Sequence, residues 1–294
     1  MNEDDAAPPL IGYLGVIAAV VIWAGWIVAT RDAMQSALRP LDVALFRYGT
    51  PALILAPVWL RKGVFPPGED WRRLAIMTVG WGGPFVILIS TGLQTIPASL
   101  FGPLVPGLLP MVVALWGFFV AKETIRRGRL VGLMFISLAV GLILGPALAE
   151  SDAAVLTGAP FLLAACAGWS AYTIAYRGCG LNGLEAAAYV CLYSTPLLIV
   201  AALIFGTDMG AFTLKDYAVQ IGVQGILSGI ASVVGYSYAV KSLGLARASA
   251  FTSLVPVLAA IGGWAMLGEA VGVAGWGAAV AACVGVLLVN RYAR

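Results

Sequence analysis

Along the chain, apolar residues gather into ten blocks, roughly 11–30, 41–60, 73–92, 97–120, 130–148, 157–176, 185–206, 217–239, 248–267 and 271–290. Charged residues fall almost entirely between them. A block of about 20 apolar residues makes a helix long enough to cross the hydrocarbon core of a bilayer. The pattern therefore predicts an all-α integral membrane protein with ten spans, numbered 1 to 10 in chain order. Composition agrees: 61% of residues are hydrophobic and 11% charged, with a mean hydropathy of +0.95. A soluble domain carries about 25% charge. The gaps between blocks leave no room for a soluble domain. The first block does not read as a signal peptide, because its leader is acidic (Glu3, Asp4, Asp5) and ends in Pro8 and Pro9.

Orientation follows from the basic residues. With the N-terminus in the cytoplasm, the cytoplasmic segments hold 13 Lys/Arg, in 61–73, 122–129, at Arg177, in 241–247 and at Arg291 and Arg294. The opposite side holds three (Arg31, Arg39, Lys215), and Arg47 is left inside span 2. Both termini are expected in the cytoplasm. The net charge of +3 then sets orientation rather than marking an acidic partner, and the cluster KETIRRGR at 122–129 reads as a cytoplasmic anchor, not a nucleic-acid patch. The four cysteines (166, 179, 191, 283) show no pairing or metal spacing.

The two halves echo each other. ASLFGPLVP at 98–106 returns as ASAFTSLVP at 248–256, WAGWIVATR at 23–31 as WSAYTIAYR at 169–177, and YGTP at 48–51 as YSTP at 193–196. Three matches in one order, 145–150 residues apart, point to a duplicated five-span unit, 1–150 and 151–294. Five is odd, so the second copy enters the membrane from the other side. Inverted repeats of this kind mark secondary transporters, with the substrate site near the midplane between the halves.

Block 4 carries Pro103, Pro106 and Pro110 with Gly102 and Gly107; span 9 answers with Pro256, and GWGGP at 80–84 predicts a break in span 3. Proline frees carbonyls that only protein or a water-lined cavity can serve in a membrane. Gly102, Pro103, Pro106, Pro110 and Pro256 are the candidate hinge residues, with plain packing kinks as the alternative for any one of them. Span 8 carries Gln220, Gln224, Ser228, Ser232 and Tyr236 at steps of four, a helix face that drifts slowly round the axis and should avoid lipid. It serves either interhelical hydrogen bonding or pore lining. Among the nine tryptophans, Trp59, Trp71 and Trp276 lie near span ends, where belt residues are expected. Trp23, Trp26, Trp81, Trp169 and Tyr172 lie deeper, where aromatic faces suit flat apolar ligands and organic cations, or simple helix packing. Those five, with Phe85, Ser99, Pro103, Gln224, Ser228, Ser232 and Phe251, form the candidate substrate-binding set. The glycine pairs Gly128/Gly132 and Gly141/Gly145 on span 5 permit close helix contact within one chain, and a monomer is expected.

Two copies of five spans, with the pattern A-S-x-x-x-x-L-x-P followed by a Glu just past the span (Glu123 in KET, Glu269 in GEA), resemble the drug/metabolite transporter superfamily and, within it, the EamA-type exporters. The chain is most similar in overall sequence to the YddG-type exporters of aromatic amino acids. The resemblance implies a ten-helix basket around a central cavity walled by spans 1–4 and 6–9, with spans 5 and 10 peripheral. It also implies small-molecule cargo, amino acids or flat drug-like cations, and a bacterial inner membrane.

Absences narrow the mechanism. The chain has no histidine, and its acidic residues near spans (Asp42, Glu123, Glu185, Glu269) fall at block ends. An enzyme would need a nucleophile with a base, or metal ligands, at membrane depth; none is legible, and no cofactor or metal is called for. A proton-coupled carrier usually keeps a carboxylate inside the membrane, so facilitated alternating-access export is the expectation, with proton-coupled multidrug or metabolite export as the alternative. Arg47 has three open readings: snorkelling to the surface, serving carbonyls freed by a nearby break, or binding substrate.

Overall fold

The computed structural model describes residues 9–292 except 37, 121, 123 and 125; Glu123 of the KET motif thus lies outside the described residues. Among the described residues the protein is all helix, with no strand. Among the described residues nine helices are long and apolar enough to span a bilayer, and a bent helix pair taken as one span makes ten. They are span 1 (Leu10–Met34), span 2 (Pro40–Ile54 with Ala56–Lys62), span 3 (Trp71–Gly92), span 4 (Ala98–Phe119) and span 5 (Arg127–Glu150). The second five are span 6 (Ala153–Arg177), span 7 (Gly183–Phe205), span 8 (Leu214–Leu243), span 9 (Arg247–Leu267) and span 10 (Val273–Arg291). Each falls on its predicted block.

Span 2 bends by 57° at Leu55. The blocks did not foretell this, but Pro57 two residues on explains it, since its ring and missing N–H stop the first segment from continuing. Span 4 is built in three pieces: Ala98–Gly102, a π turn over Pro103–Gly107, and Leu109–Phe119. Pro103 and Pro110 fall at the starts of pieces, where a missing N–H costs no helical bond. Pro106 lies inside the wider π turn. Span 9 is interrupted at the corresponding place, by a 3-10 turn over Thr252–Leu254 ahead of Pro256.

The helices cluster into two compact units. The first comprises 1–28, 96–157 and 231–294, and the second 29–95 and 158–230, so each draws segments from both sequence halves. In the first unit span 5 packs along span 10 and span 4 on span 9; in the second, span 2 packs on span 7. Each of these pairs joins spans that occupy the same place in the two halves. Small residues set the closest approaches. A Cβ at Gly102 would lie 2.4 Å from the Pro256 Cα, and one at Gly132 would lie 2.8 Å from the Gly285 carbonyl oxygen. Gly128 meets Tyr292, whereas Gly141 and Gly145 face open space. In the second unit a Cβ at Gly80 would lie 2.3 Å from the Gly168 carbonyl oxygen, which joins span 3 to span 6.

Candidate functional site

The break in span 3 organises the second unit. The helix Trp71–Trp81 stops at Gly82 and a new one begins at Gly83. Its loosened backbone groups find partners: the Tyr48 hydroxyl donates to the Trp81 carbonyl at 2.6 Å, and the Gly83 N–H donates to Ser194 Oγ at 3.1 Å. Tyr48 is 1% exposed, and the motif YGTP places it beside Arg47. The Trp81 carbonyl thus has a donor in Tyr48.

Trp81 then becomes the centre of an aromatic run. Its ring stacks on Tyr172 with centroids 5.1 Å apart and planes at 28°, and Tyr172 stacks on Tyr176 at 5.8 Å and 4°. Trp169, one turn before Tyr172, meets Phe85 edge-on at 5.8 Å. Arg47 closes the run, its guanidinium carbon 5.8 Å from the Trp81 ring centre and 5.7 Å from that of Tyr48. Arg47 is 7% exposed, so it does not snorkel to a surface. Cation and ring at this distance attract through the ring quadrupole.

Span 8 brings its polar stripe to the same unit as far as residue 230. Gln224 is fully buried and donates from Nε2 to Thr30 Oγ1 at 3.4 Å; Ser228 is also fully buried. The slow drift expected of an α-helix is corrected here, because Ile221–Ala231 forms a π-helix. Its i→i+5 ladder widens the turn and keeps residues four apart nearly in line. Ser232, at the start of the α-helix that follows, is buried too. The π segment lies close to span 2. A Cβ at Gly225 would meet Thr50 Cβ at 2.5 Å, and one at Gly229 would meet Pro51 Cγ at 2.4 Å and Arg47 Nη1 at 3.1 Å.

Polar ties close both ends of this unit. At one end Lys62 pairs with Glu185 at 2.6 Å, Glu69 Oε1 accepts from the Gly180 N–H at 2.6 Å, and Arg73 donates to the Gly178 carbonyl. Burial, reinforced by the Glu69 carboxylate, pushes the Cys179 thiol in that loop up, so it stays protonated at neutral pH. At the other end Arg39 Nε donates to Asp208 at 2.5 Å, and Asp42 Oδ2 accepts from the Arg39 and Asp208 N–H groups at 3.1 and 3.4 Å. Asp42 is fully buried although it stands in the first turn of its helix. Arg31 donates to the Leu93 and Gln94 carbonyls at 2.6 and 2.9 Å, a cation on the C-terminal end of span 3.

In the first unit each remaining aromatic candidate meets a ring from outside the candidate set. Trp23 meets Tyr236 at 5.3 Å, Trp26 meets Phe101 at 6.4 Å, and Phe251 meets Tyr13 at 6.0 Å. Ser99 is 2% exposed, and Gly102, Pro103 and Pro256 are buried. Glu269 Oε1 accepts from the Ala98 N–H at 3.1 Å, an anion on the N-terminal end of span 4. That gives the GEA motif a structural task. Equivalent spans make equivalent contacts: Trp23 of span 1 meets span 8, as Trp169 of span 6 meets span 3.

The set Trp81, Phe85, Trp169, Tyr172, Gln224 and Ser228 thus lies in the second unit, and Trp23, Trp26, Ser99, Pro103, Ser232 and Phe251 lie in the first. Sequence reading missed Tyr48, Tyr176 and Tyr236 as ring partners. The signal for Tyr176 was its four-residue step from Tyr172, and for Tyr48 its place beside the one intramembrane arginine.

Ten apolar spans, in two halves whose matching spans pack together, define a multi-pass membrane protein of repeat architecture. The sequence matches the EamA-like transporter family over residues 10–145 and again over 156–291, and the chain belongs to that family. It is a family of transporters, not enzymes. No curated protein sequence matches the chain. A solved structure described only as "Crystal structure of protein" is similar in fold, with a TM-score of 0.62 and 18% sequence identity over 95% of this chain and 96% of that one.

Proposed function

We propose that the protein exports amino acids, aromatic ones in preference, together with other small metabolites or flat drug-like cations. It does so by alternating access between inverted halves 1–150 and 151–294, and without a coupling ion. The observation that supports this best is the run Tyr176, Tyr172, Trp81 ending on Arg47, which offers ring faces and a charge to a flat zwitterion. Membership of a transporter family supplies the class, and the cargo is what the sequence's resemblance to YddG-type exporters implies. Phe85, Trp169, Gln224 and Ser228 would complete the recognition surface of the second unit; Trp23, Trp26, Ser99, Pro103, Ser232 and Phe251 that of the first. Gly102, Pro103, Pro106, Pro110 and Pro256 would supply the bending that gating needs. The basic residues favour both termini in the cytoplasm, the family resemblance points to a bacterial inner membrane, and the chain would work as a monomer.

A second reading, proton-coupled export, draws on Asp42, whose side chain is fully buried and whose Oδ1 accepts no hydrogen bond among the described residues. Uptake of labelled tryptophan, phenylalanine and lysine into proteoliposomes, with and without a pH gradient, separates the readings. Facilitated export predicts saturable uptake of the aromatic pair that ignores the gradient in both wild type and Asp42→Asn. Uptake that follows the gradient and loses that dependence in Asp42→Asn would replace the first reading by the second.

A further inference from the structure

We propose that Arg47 is the specificity-determining residue of this transporter. It receives the carboxylate of the transported molecule and sets aromatic amino acids apart from the amines that differ only in lacking it. The inference rests on the aromatic amino-acid reading above and adds to it which end of the cargo is read, and by which group.

Three features of the second unit carry it. The first is placement. Arg47 lies two turns into span 2 and is 7% exposed, held between the Tyr48 and Trp81 rings rather than led out to a surface. A guanidinium is the group best matched to a carboxylate, through two parallel N–H donors in a planar fork. The second is the run of rings it terminates. From Tyr176 through Tyr172 to Trp81 the centroids step by 5.8 and 5.1 Å, and Arg47 follows 5.8 Å beyond Trp81. An aromatic amino acid has the same layout, a ring with a carboxylate one short stem away. The third is the wall opposite. Span 8 presents Gly229 to the guanidinium, and a Cβ there would come within 3.1 Å of Nη1 and 2.4 Å of Pro51. Glycine at 229 keeps side-chain atoms away from the fork. The same span offers a complementary group: Gln220 is 8% exposed and its Oε1 accepts no hydrogen bond among the described residues, an acceptor of the kind an ammonium requires.

The test compares tryptophan with tryptamine, which keeps the ring and the amine and lacks the carboxylate. Wild type, Arg47→Gln and Arg47→Lys are reconstituted at equal amounts of monodisperse protein, and uptake of both labelled compounds is measured. The proposal expects wild type to prefer tryptophan, and Arg47→Gln to lower the tryptophan-to-tryptamine ratio at least tenfold. Arg47→Lys keeps the charge without the fork and should fall between them. A ratio within twofold of wild type in Arg47→Gln, whether both rates hold or both fall, would overturn the assignment while leaving the amino-acid reading standing. Wild-type protein that carries neither compound, and whose thermal unfolding is not shifted by tryptophan, would overturn both.

Discussion

Trp81 does three things at once: its ring stacks on Tyr172, its face meets Arg47, and its carbonyl accepts from Tyr48. The last of these ties ring position to backbone geometry, because Trp81 is the residue at which the span 3 helix stops. Removing the Tyr48 hydroxyl leaves that carbonyl without its buried donor, a loss of about 1–3 kcal/mol. Tyr48→Phe is therefore expected to lower the thermal unfolding midpoint of the purified protein while keeping its ring beside Arg47. An unchanged midpoint would show that the span 3 break does not depend on this bond. At this scale the sequence spoke unevenly. A tryptophan in the middle of an apolar block stands out, so Trp81 and Trp169 were legible. A tyrosine is ordinary in such blocks, and Tyr48 acquires its role only when span 3 breaks beside it. Asp42 stands at the span end where the blocks put it, in the first turn of its helix, but its burial was not legible, because distance from a block end says nothing about the loop that folds over it, and Asp208 does so here.

The helices show how breakers are used rather than tolerated. Pro103 and Pro110 start helical pieces, Pro106 sits in a π turn, and Pro256 follows a 3-10 turn at the matching place in span 9. Spans 4 and 9 meet at these irregularities through Gly102, where a Cβ would fall 2.4 Å from the Pro256 Cα and 2.7 Å from its ring Cβ. Gly102→Val should consequently destabilise the protein by several kcal/mol, since the atom it strikes is backbone and overpacking alone costs about 1–3 kcal/mol. Gly141→Ala, on a helix position with open space, should be neutral or stabilising by about 0.5–1 kcal/mol. Equal thermal midpoints for the two variants would contradict the described contact. The existence and order of the spans were readable because hydrocarbon thickness dictates their length. The bend at Leu55 and the π-helix of span 8 were not, since both depend on where a carbonyl finds its partner in the packed protein.

The whole chain carries its history in its packing. Spans 4 and 9, 5 and 10, and 2 and 7 pair within their units, as copies related by a two-fold would, and the family match falls separately on each half. The echoes of Trp, Pro and Arg between halves made that duplication legible. The cargo was not legible in the same way, because stacking surfaces and packed aromatic cores use the same residues. Counterflow most directly tests whether this member of the EamA-like family carries aromatic amino acids, as proposed above. Proteoliposomes preloaded with unlabelled tryptophan are diluted into a trace of labelled tryptophan, with no ion or pH gradient. A carrier that binds tryptophan on either side will accumulate label transiently above equilibrium, and preloaded phenylalanine will support the same overshoot. Label that rises monotonically to equilibrium, or does not enter at all, would contradict the account.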